Sequence, residues 1–91
     1  MSPDTELSII IVSWNVRPDL EACLRSLRDN RDLAHEVIVV DNASSDDTLA
    51  MLQRCPEVRL IANAENRGFA AANNQGLAVA QGAWLLLLNP D

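Results

Sequence analysis

The segment from Glu36 to Thr48, EVIVVDNASSDDT, sets the terms for the rest of the chain. Val37, Ile38, Val39 and Val40 form an unbroken β-branched run, as expected of a parallel strand covered on both faces. Asp41 ends that run abruptly, and a polar turn then leads into a helix start. In open α/β sheets the loops leaving the carboxyl ends of the strands surround a crevice lined by helix N-termini, and ligands bind there. Asp41 is therefore the first candidate for a functional group.

The flanking sequence repeats the same alternation. Leu7 to Val12 (LSIIIV) reads as a first strand, with Ser13-Trp14-Asn15 at its carboxyl end. Pro18 suits the first turn of the helix that follows, Asp19 and Glu21 favour its positive end, and Leu20, Cys23, Leu24 and Leu27 form its apolar stripe. The second unit is a strand over Glu36–Asp41 and a helix near Asp46–Arg54. Ser44 or Ser45 is the expected cap, Asp46 and Asp47 complement the dipole, and Pro56 stops the helix. Val58 to Ile61 is a third, shorter strand. The polar loop Asn63–Arg67 leads through Gly68 into a helix from Phe69 to Ala80, with Gly82 in the C′ position. Asn73 or Asn74 is expected to bond a strand-end loop. Ala83 to Leu88 (AWLLLL) is the fourth strand. The order β-α-β-α-β-α-β, with right-handed crossovers between parallel neighbours, predicts an α/β, doubly wound and mainly parallel sheet with flanking helices.

Composition narrows the function. Ninety-one residues make one small domain or part of a larger one, and 48% apolar with 22% charged residues is ordinary for a globular chain. Residues 1–91 are read as a single truncated domain, with 1–6 as an N-terminal tail. The formal charge of −6, without a Lys or Arg cluster, argues against a nucleic-acid partner. There is no basic n-region and no apolar run near the roughly 18 residues that a membrane span needs, so the expected compartment is the cytoplasm. Cys23 and Cys55 lack metal-ligand spacing and are read as free, half-buried thiols. His35, the single histidine, is placed in the loop before the second strand.

The fourth strand bears on completeness. It is apolar on both faces, and as a free edge it would invite pairing with another chain. The expectation is a piece of a longer domain, or a partner covering this edge, with self-association through Ala83–Leu88 as one form of that cover.

The polar residues converge. Ser13 and Asn15 after the first strand, Asp41 after the second and Asp91 after the fourth all leave the same sheet edge. If the fourth strand returns to the far side of the first, Ser13 and Asp91 face each other across the topological switch point. The motifs argue against a dinucleotide site of the NAD type, since GxGxxG is replaced by SWNVRP, and there is no GxxxxGK[ST] loop. Phosphate then needs another holder. A divalent cation on Asp91, Mg²⁺ or Mn²⁺, is the natural candidate because both favour hard oxygen ligands.

Four segments, LSIIIVSWN, EVIVVDNASSDDT, ENRGFAAANNQGL and AWLLLLNPD, stand in order from Leu7 to Asp91, and together they resemble the N-terminal, donor-binding half of family 2 glycosyltransferases of the GT-A fold. The resemblance implies a Rossmann-like half domain that binds a nucleotide-diphosphate sugar. It places Val12, Ser13, Trp14 and Asn15 against the nucleotide, with the Trp14 ring along the base. It gives Asp41 the reading of the pyrimidine, with Asn42 beside it, sets Arg67 and Gly68 near the donor, and makes Asp91 the metal ligand. The family's DxD motif is here Asn89-Pro90-Asp91, which departs from the pattern at its first two positions. That ending, with NRGFAAANNQG, is similar to a bacterial rhamnosyltransferase-like subgroup, so the donor is expected to be a deoxythymidine-diphosphate-rhamnose or a uridine-diphosphate sugar.

The resemblance further implies an inverting transfer to an acceptor hydroxyl on a glycan or lipid-linked sugar, at the inner face of the membrane in the full-length protein, as in cell-surface polysaccharide biosynthesis. The catalytic base is expected beyond Asp91, so no residue of this chain is assigned as catalytic and the 91-residue chain is expected to have no transferase activity of its own. The alternatives are a non-catalytic nucleotide-binding or interaction module with the same fold, and a nucleotidyltransferase, which would be expected to carry a basic glycine-rich loop after the first strand.

Overall fold

Apolar strand runs and amphipathic helices alternate along the chain as the sequence pattern requires. The structure is a computed structural model that describes residues 5–29 and 35–90. Its elements are β1 (Leu7–Ser13), α1 (Arg17–Asp29), β2 (His35–Asp41), α2 (Thr48–Leu52), β3 (Val58–Ala62), α3 (Phe69–Val79) and β4 (Trp84–Leu88). The four strands form one parallel sheet in the order β3-β2-β1-β4. The chain therefore winds outward from β1 through β2 and β3, then crosses to the other side of β1. The switch point therefore lies between β1 and β4, which meets the condition under which the sequence placed the site there.

Alternation along β1 and β2 divides the core between the two faces of the sheet. Ile9, Ile11, Val37 and Val39 meet Leu20 and Leu24 of α1 and Met51 and Leu52 of α2. Ile10, Ile38 and Val40 meet Ala72 of α3. Each large side chain buried in this way contributes roughly 1.5–3 kcal/mol. The predicted stripe holds on α1, where Leu20 and Leu24 are buried and Leu27 packs against them. On the other face, a Cβ on Gly76 would stand 2.5 Å from Cγ2 of Ile10, so the missing side chain lets α3 settle onto the sheet.

Several local expectations need correcting. His35 is the first residue of β2, opposite Leu7 of β1, instead of a loop residue. The second helix is only Thr48–Leu52, shorter than expected, because the residues before it are engaged elsewhere. The Ser44 hydroxyl donates to Asp41, and the Ser45 backbone N–H donates to Asn15. Neither serine caps the helix; the Asp46 carboxylate instead accepts the Thr48 N–H at 3.0 Å. The third helix ends at Val79 with Ala80 extended, so Gly82 is not its left-handed C′ residue. Gly82 sits where the backbone crosses β1: a Cβ there would lie 2.7 Å from the Ser8 nitrogen. The Gly82 N–H donates to the buried Ser8 hydroxyl, which donates to Glu36, and Glu36 also accepts the Gln81 N–H. The residue of α3 that bonds a strand-end loop is Gln75, through Asn63, where Asn73 or Asn74 was expected.

Among the described residues, strand β4 pairs with β1 along one side only and stands at the sheet edge. Trp84, Leu85, Leu86 and Leu87 are 71%, 53%, 42% and 50% exposed, so the helices leave both faces of the strand open except where Leu88 packs against the core.

Candidate functional site

The carboxyl ends of β1 and β2 meet in register, with Ser13 opposite Asp41. Both side chains are buried, and the Ser13 hydroxyl donates to Oδ1 of Asp41 at 2.9 Å. The Ser44 hydroxyl donates to the same oxygen at 2.6 Å, and the Ser44 backbone N–H donates to Oδ2 at 3.0 Å. A carboxylate taken out of water needs such donors, and here they close the turn after β2 back onto the strand. Ala43 takes the left-handed backbone, φ +64°, to make that turn.

Asn15 ties the loop after β1 to the same turn. It too has positive φ, +52°, a conformation that asparagine tolerates better than most residues. Its side-chain oxygen accepts the Ser45 N–H at 2.7 Å, and its own backbone N–H donates to the Ser44 hydroxyl at 2.9 Å. Between these anchored residues Trp14 is left 53% exposed.

Asn42 joins the β2 tip to the loop before α3. Its NH₂ donates to the Gly68 carbonyl at 3.1 Å, while its oxygen accepts the Arg67 backbone N–H at 3.3 Å and the Asn63 side-chain NH₂ at 2.9 Å. Gly68 precedes α3 with φ +83° and has open space where a Cβ would stand, so the need for glycine there is conformational. Its N–H donates to the Asn66 side chain at 2.8 Å.

These loops bound a groove of about 400 Å³ above the ends of β1, β2 and β4. Val12, Trp14, Val16 and Phe69 supply its apolar walls; Asn42, Asn66, Asn89, Gly68 and Pro90 supply the remainder. Of the residues singled out from sequence, Val12, Trp14, Asn42 and Gly68 line the groove. Ser13, Asn15 and Asp41 lie behind it as its bracing, and the Arg67 backbone belongs to the same bracing while the residue is exposed. Asp91 lies outside the described residues. Val16 and Phe69 were missed. Phe69 is the only phenylalanine, 64% exposed at the start of a helix whose next seven residues are all small or amide-bearing, and that isolation was the available signal.

Among the described residues no group of three or more His, Cys, Asp or Glu could hold a metal ion. The groove walls offer amide oxygens and no carboxylate, so a hard divalent cation would fit only with a carboxylate from beyond Pro90. Cys23 and Cys55 are free, and burial pushes both thiols above their usual range. Among the described residues, no helix is long and apolar enough to cross a membrane.

A parallel α/β sheet with a half-apolar groove at its topological switch is the architecture of the doubly wound class. The chain belongs to glycosyl transferase family 2, whose family model matches residues 8–91. It is 32% identical over 88 residues to the succinoglycan biosynthesis protein ExoO of Rhizobium meliloti, covering 94% of this chain and 25% of that protein. Among solved structures it is similar to the mannosyltransferase PcManGT from Pyrobaculum calidifontis in complex with GDP-Man and Mn²⁺, at 29% identity and a TM-score of 0.86, covering 94% of this chain and 27% of that one. It is also similar to S. aureus TarS 1-349 in complex with UDP-GlcNAc, at 26% identity and a TM-score of 0.85, covering 96% and 27%. The sheet order and flanking helices match the GT-A arrangement of these neighbours. The chain spans 25%, 29% and 27% of the length of three curated relatives.

Proposed function

We propose that the protein provides the donor-binding part of an inverting glycosyltransferase, which moves a sugar from a nucleotide-diphosphate donor to an acceptor hydroxyl on a glycan or lipid-linked sugar. The observation that carries this reading is the groove itself. Trp14, Val12 and Phe69 offer apolar surface to a flat ring, and Asn42 brings a polar group to the same wall. The solved neighbours with GDP-Man and UDP-GlcNAc support the donor class.

In this reading Val12 and Trp14 contact the base, Gly68 lets the loop approach the diphosphate, and the exposed Arg67 offsets its charge. Ser13, Asn15 and Asp41 serve the nucleotide by fixing the two loops that hold it, and the polar contact at the β2 tip passes to Asn42. Asp91 is the proposed ligand for Mg²⁺ or Mn²⁺, which when bound would neutralise the diphosphate. The donor is a deoxythymidine-diphosphate-rhamnose, as in the rhamnosyltransferase-like subgroup, or a uridine-diphosphate sugar. The base lies beyond Asp91, so the 91 residues alone bind donor without transferring it. The site faces the cytoplasm at the inner surface of the membrane, and the open edge of β4 lets isolated chains self-associate.

Calorimetric titration with uridine, deoxythymidine and guanosine diphosphates, with and without Mn²⁺, tests the proposal. Binding of a pyrimidine diphosphate that weakens about tenfold or more in Trp14→Ala and loses its Mn²⁺ dependence in Asp91→Ala is the expected result. A folded sample that binds none of the three would favour the non-catalytic interaction module.

A further inference from the structure

The side chains of β4 say little about its register. Trp84 to Leu88 are five large apolar residues, four of them leucine, and all but Leu88 are well exposed. Sliding the strand along β1 by two positions sets leucine against the same neighbours on the same faces, and the backbone ladder re-forms after such a step. Packing of the strand therefore discriminates weakly between registers. The observed one sets Leu7 opposite Trp84, Ile9 opposite Leu86 and Ile11 opposite Leu88.

Contacts that identify individual residues stand just before the strand. Ser8 of β1 and Glu36 of β2 are register partners at the end of the sheet away from the groove. The Ser8 hydroxyl donates to Oε2 of Glu36, and the same oxygen accepts the Gln81 N–H at 2.7 Å. The Ser8 oxygen accepts the Gly82 N–H at 2.8 Å. Two consecutive backbone donors of the turn between α3 and β4 thus close a ring with two side chains on adjacent strands. A carboxylate only accepts, which fixes the direction of the Ser8 hydroxyl and keeps its oxygen available to Gly82. From Ala80 to Trp84 only Gly82 lacks a Cβ. A slip of two positions brings Ala80 or Trp84 to its place, where a Cβ meets the Ser8 nitrogen at 2.7 Å. The slip also takes both donors from the ring, although Ser8 is fully buried.

The groove lies at the other end of the same strands, roughly 17 Å along β1 at about 3.3 Å per residue from Ser8 to Ser13. Asn89 and Pro90, just after β4, line it. A slip of two residues would carry them roughly 7 Å along the strand axis, out of line with Val12 and Trp14. We infer that Ser8 and Glu36 are positioning residues: they fix the register of β4 through the Gln81-Gly82 turn, and so hold Asn89, Pro90 and the proposed metal ligand after them at the groove. The consequence for the site rests on the donor-nucleotide reading above, whereas the control of register stands without it.

Backbone proton contacts between β1 and β4, measured by NMR on the isotope-labelled chain, read the register directly. In the wild type Ile9 meets Leu86. In Glu36→Leu a second set of contacts appears, with Ile9 meeting Trp84 or Leu88, while Ile9 and Val37 remain partners across β1 and β2. Glu36→Gln, whose amide oxygen can accept both donors, keeps the wild-type set alone. Ser8→Ala, a milder change, gives the second set at lower population. A merely structural role would lower the melting temperature of Glu36→Leu and Ser8→Ala and leave the wild-type contacts unchanged, and that result overturns the inference. Titration with uridine diphosphate tests the consequence for the site: Mn²⁺ strengthens binding in the wild type and in Glu36→Gln, and this gain is lost in Glu36→Leu. A shifted register with the Mn²⁺ gain intact would refute the positioning role. A wild-type chain that binds no nucleotide removes the donor-site reading, and the control of register is then decided by the NMR contacts.

Discussion

Ser13 and Asp41 are register partners on adjacent parallel strands, and the hydroxyl of one donates to the carboxylate of the other at 2.9 Å. The bond joins the last residues of β1 and β2, from which the two loops of the candidate site depart. Asp41 is 1% exposed, so every donor it lost would leave a buried acceptor short of a partner.

Replacing Asp41 with Asn turns one acceptor oxygen into an NH₂ that must face a hydroxyl or the Ser44 N–H, both of which now donate to the carboxylate. The expected loss is about 1–3 kcal/mol, with Ser13→Ala costing about 1 kcal/mol. Combining Asp41→Asn with Ser13→Ala gives less than the sum, because one bond is counted in both. Urea denaturation of the four proteins in the cycle measures the coupling; strict additivity would show that the two residues do not support one another.

Gly82 and Gly76 separate two kinds of close approach. A Cβ on Gly82 meets the Ser8 nitrogen at 2.7 Å and the Leu7 carbonyl carbon at 2.8 Å, both backbone atoms of β1. One on Gly76 meets only the Ile10 side chain. Gly82→Ala must push the start of β4 away from β1 and strain the hydrogen bond from Gly82 to Ser8, so it is expected to cost about 2–3 kcal/mol or more. Gly76→Ala regains up to about 1 kcal/mol of helix propensity against its overpacking and costs less. Thermal melts rank the two, and the reverse order would contradict this account.

The strand cores were open to sequence reading because Leu7–Val12 and Val37–Val40 are continuous apolar runs, whereas the run Ala83–Leu88 announced a strand without saying that its neighbour is β1. The division of labour at the β2 tip was not. Adjacent residues of a strand point to opposite sides, and only the register with β1 turns Asp41 toward Ser13 while Asn42 reaches the groove. The short α2 was hidden for a related reason. Ser44 and Ser45 are good caps in isolation, and only the folded loop after β1 supplies Asn15 as a competing partner. Phe69 stood out in the sequence as the single phenylalanine, but its exposure is a property of the surface that the finished sheet leaves open.

Acid should loosen the start of α2 in a defined way. The Thr48 hydroxyl, more than any other group, holds the Asp46 carboxyl below its usual range, against a smaller opposing effect of burial. The folded state therefore favours the carboxylate. Its contribution is complete above the ordinary aspartate value, near pH 4, and is lost as pH falls through the lower folded value. Thr48→Val removes the hydroxyl at nearly constant shape. Following the Asp46 carboxyl carbon by NMR, the titration midpoint should rise toward the ordinary value in the variant; an unchanged midpoint would assign the depression to something else.

The exposed edge of β4 makes the last prediction. Alternation places Trp84, Leu86 and Leu88 on the α1 and α2 face, where Leu88 touches the core, and puts Leu85 and Leu87 on the face of α3. Helix α3 packs on β1 and β2 and does not extend over β4. The outer backbone edge of the strand has no pairing strand among the described residues, and it carries none of the lysines, prolines or bulges that blunt natural edges. Burying such a strand against a second copy removes apolar surface on both faces and satisfies that row of backbone groups together. The 91-residue chain should therefore sediment well above its 10.0 kDa monomer mass at tens of micromolar protein, and Leu86→Lys should return it toward the monomer. A wild-type chain that stays monomeric there, with its fold intact, would show that the edge is tolerated as it stands.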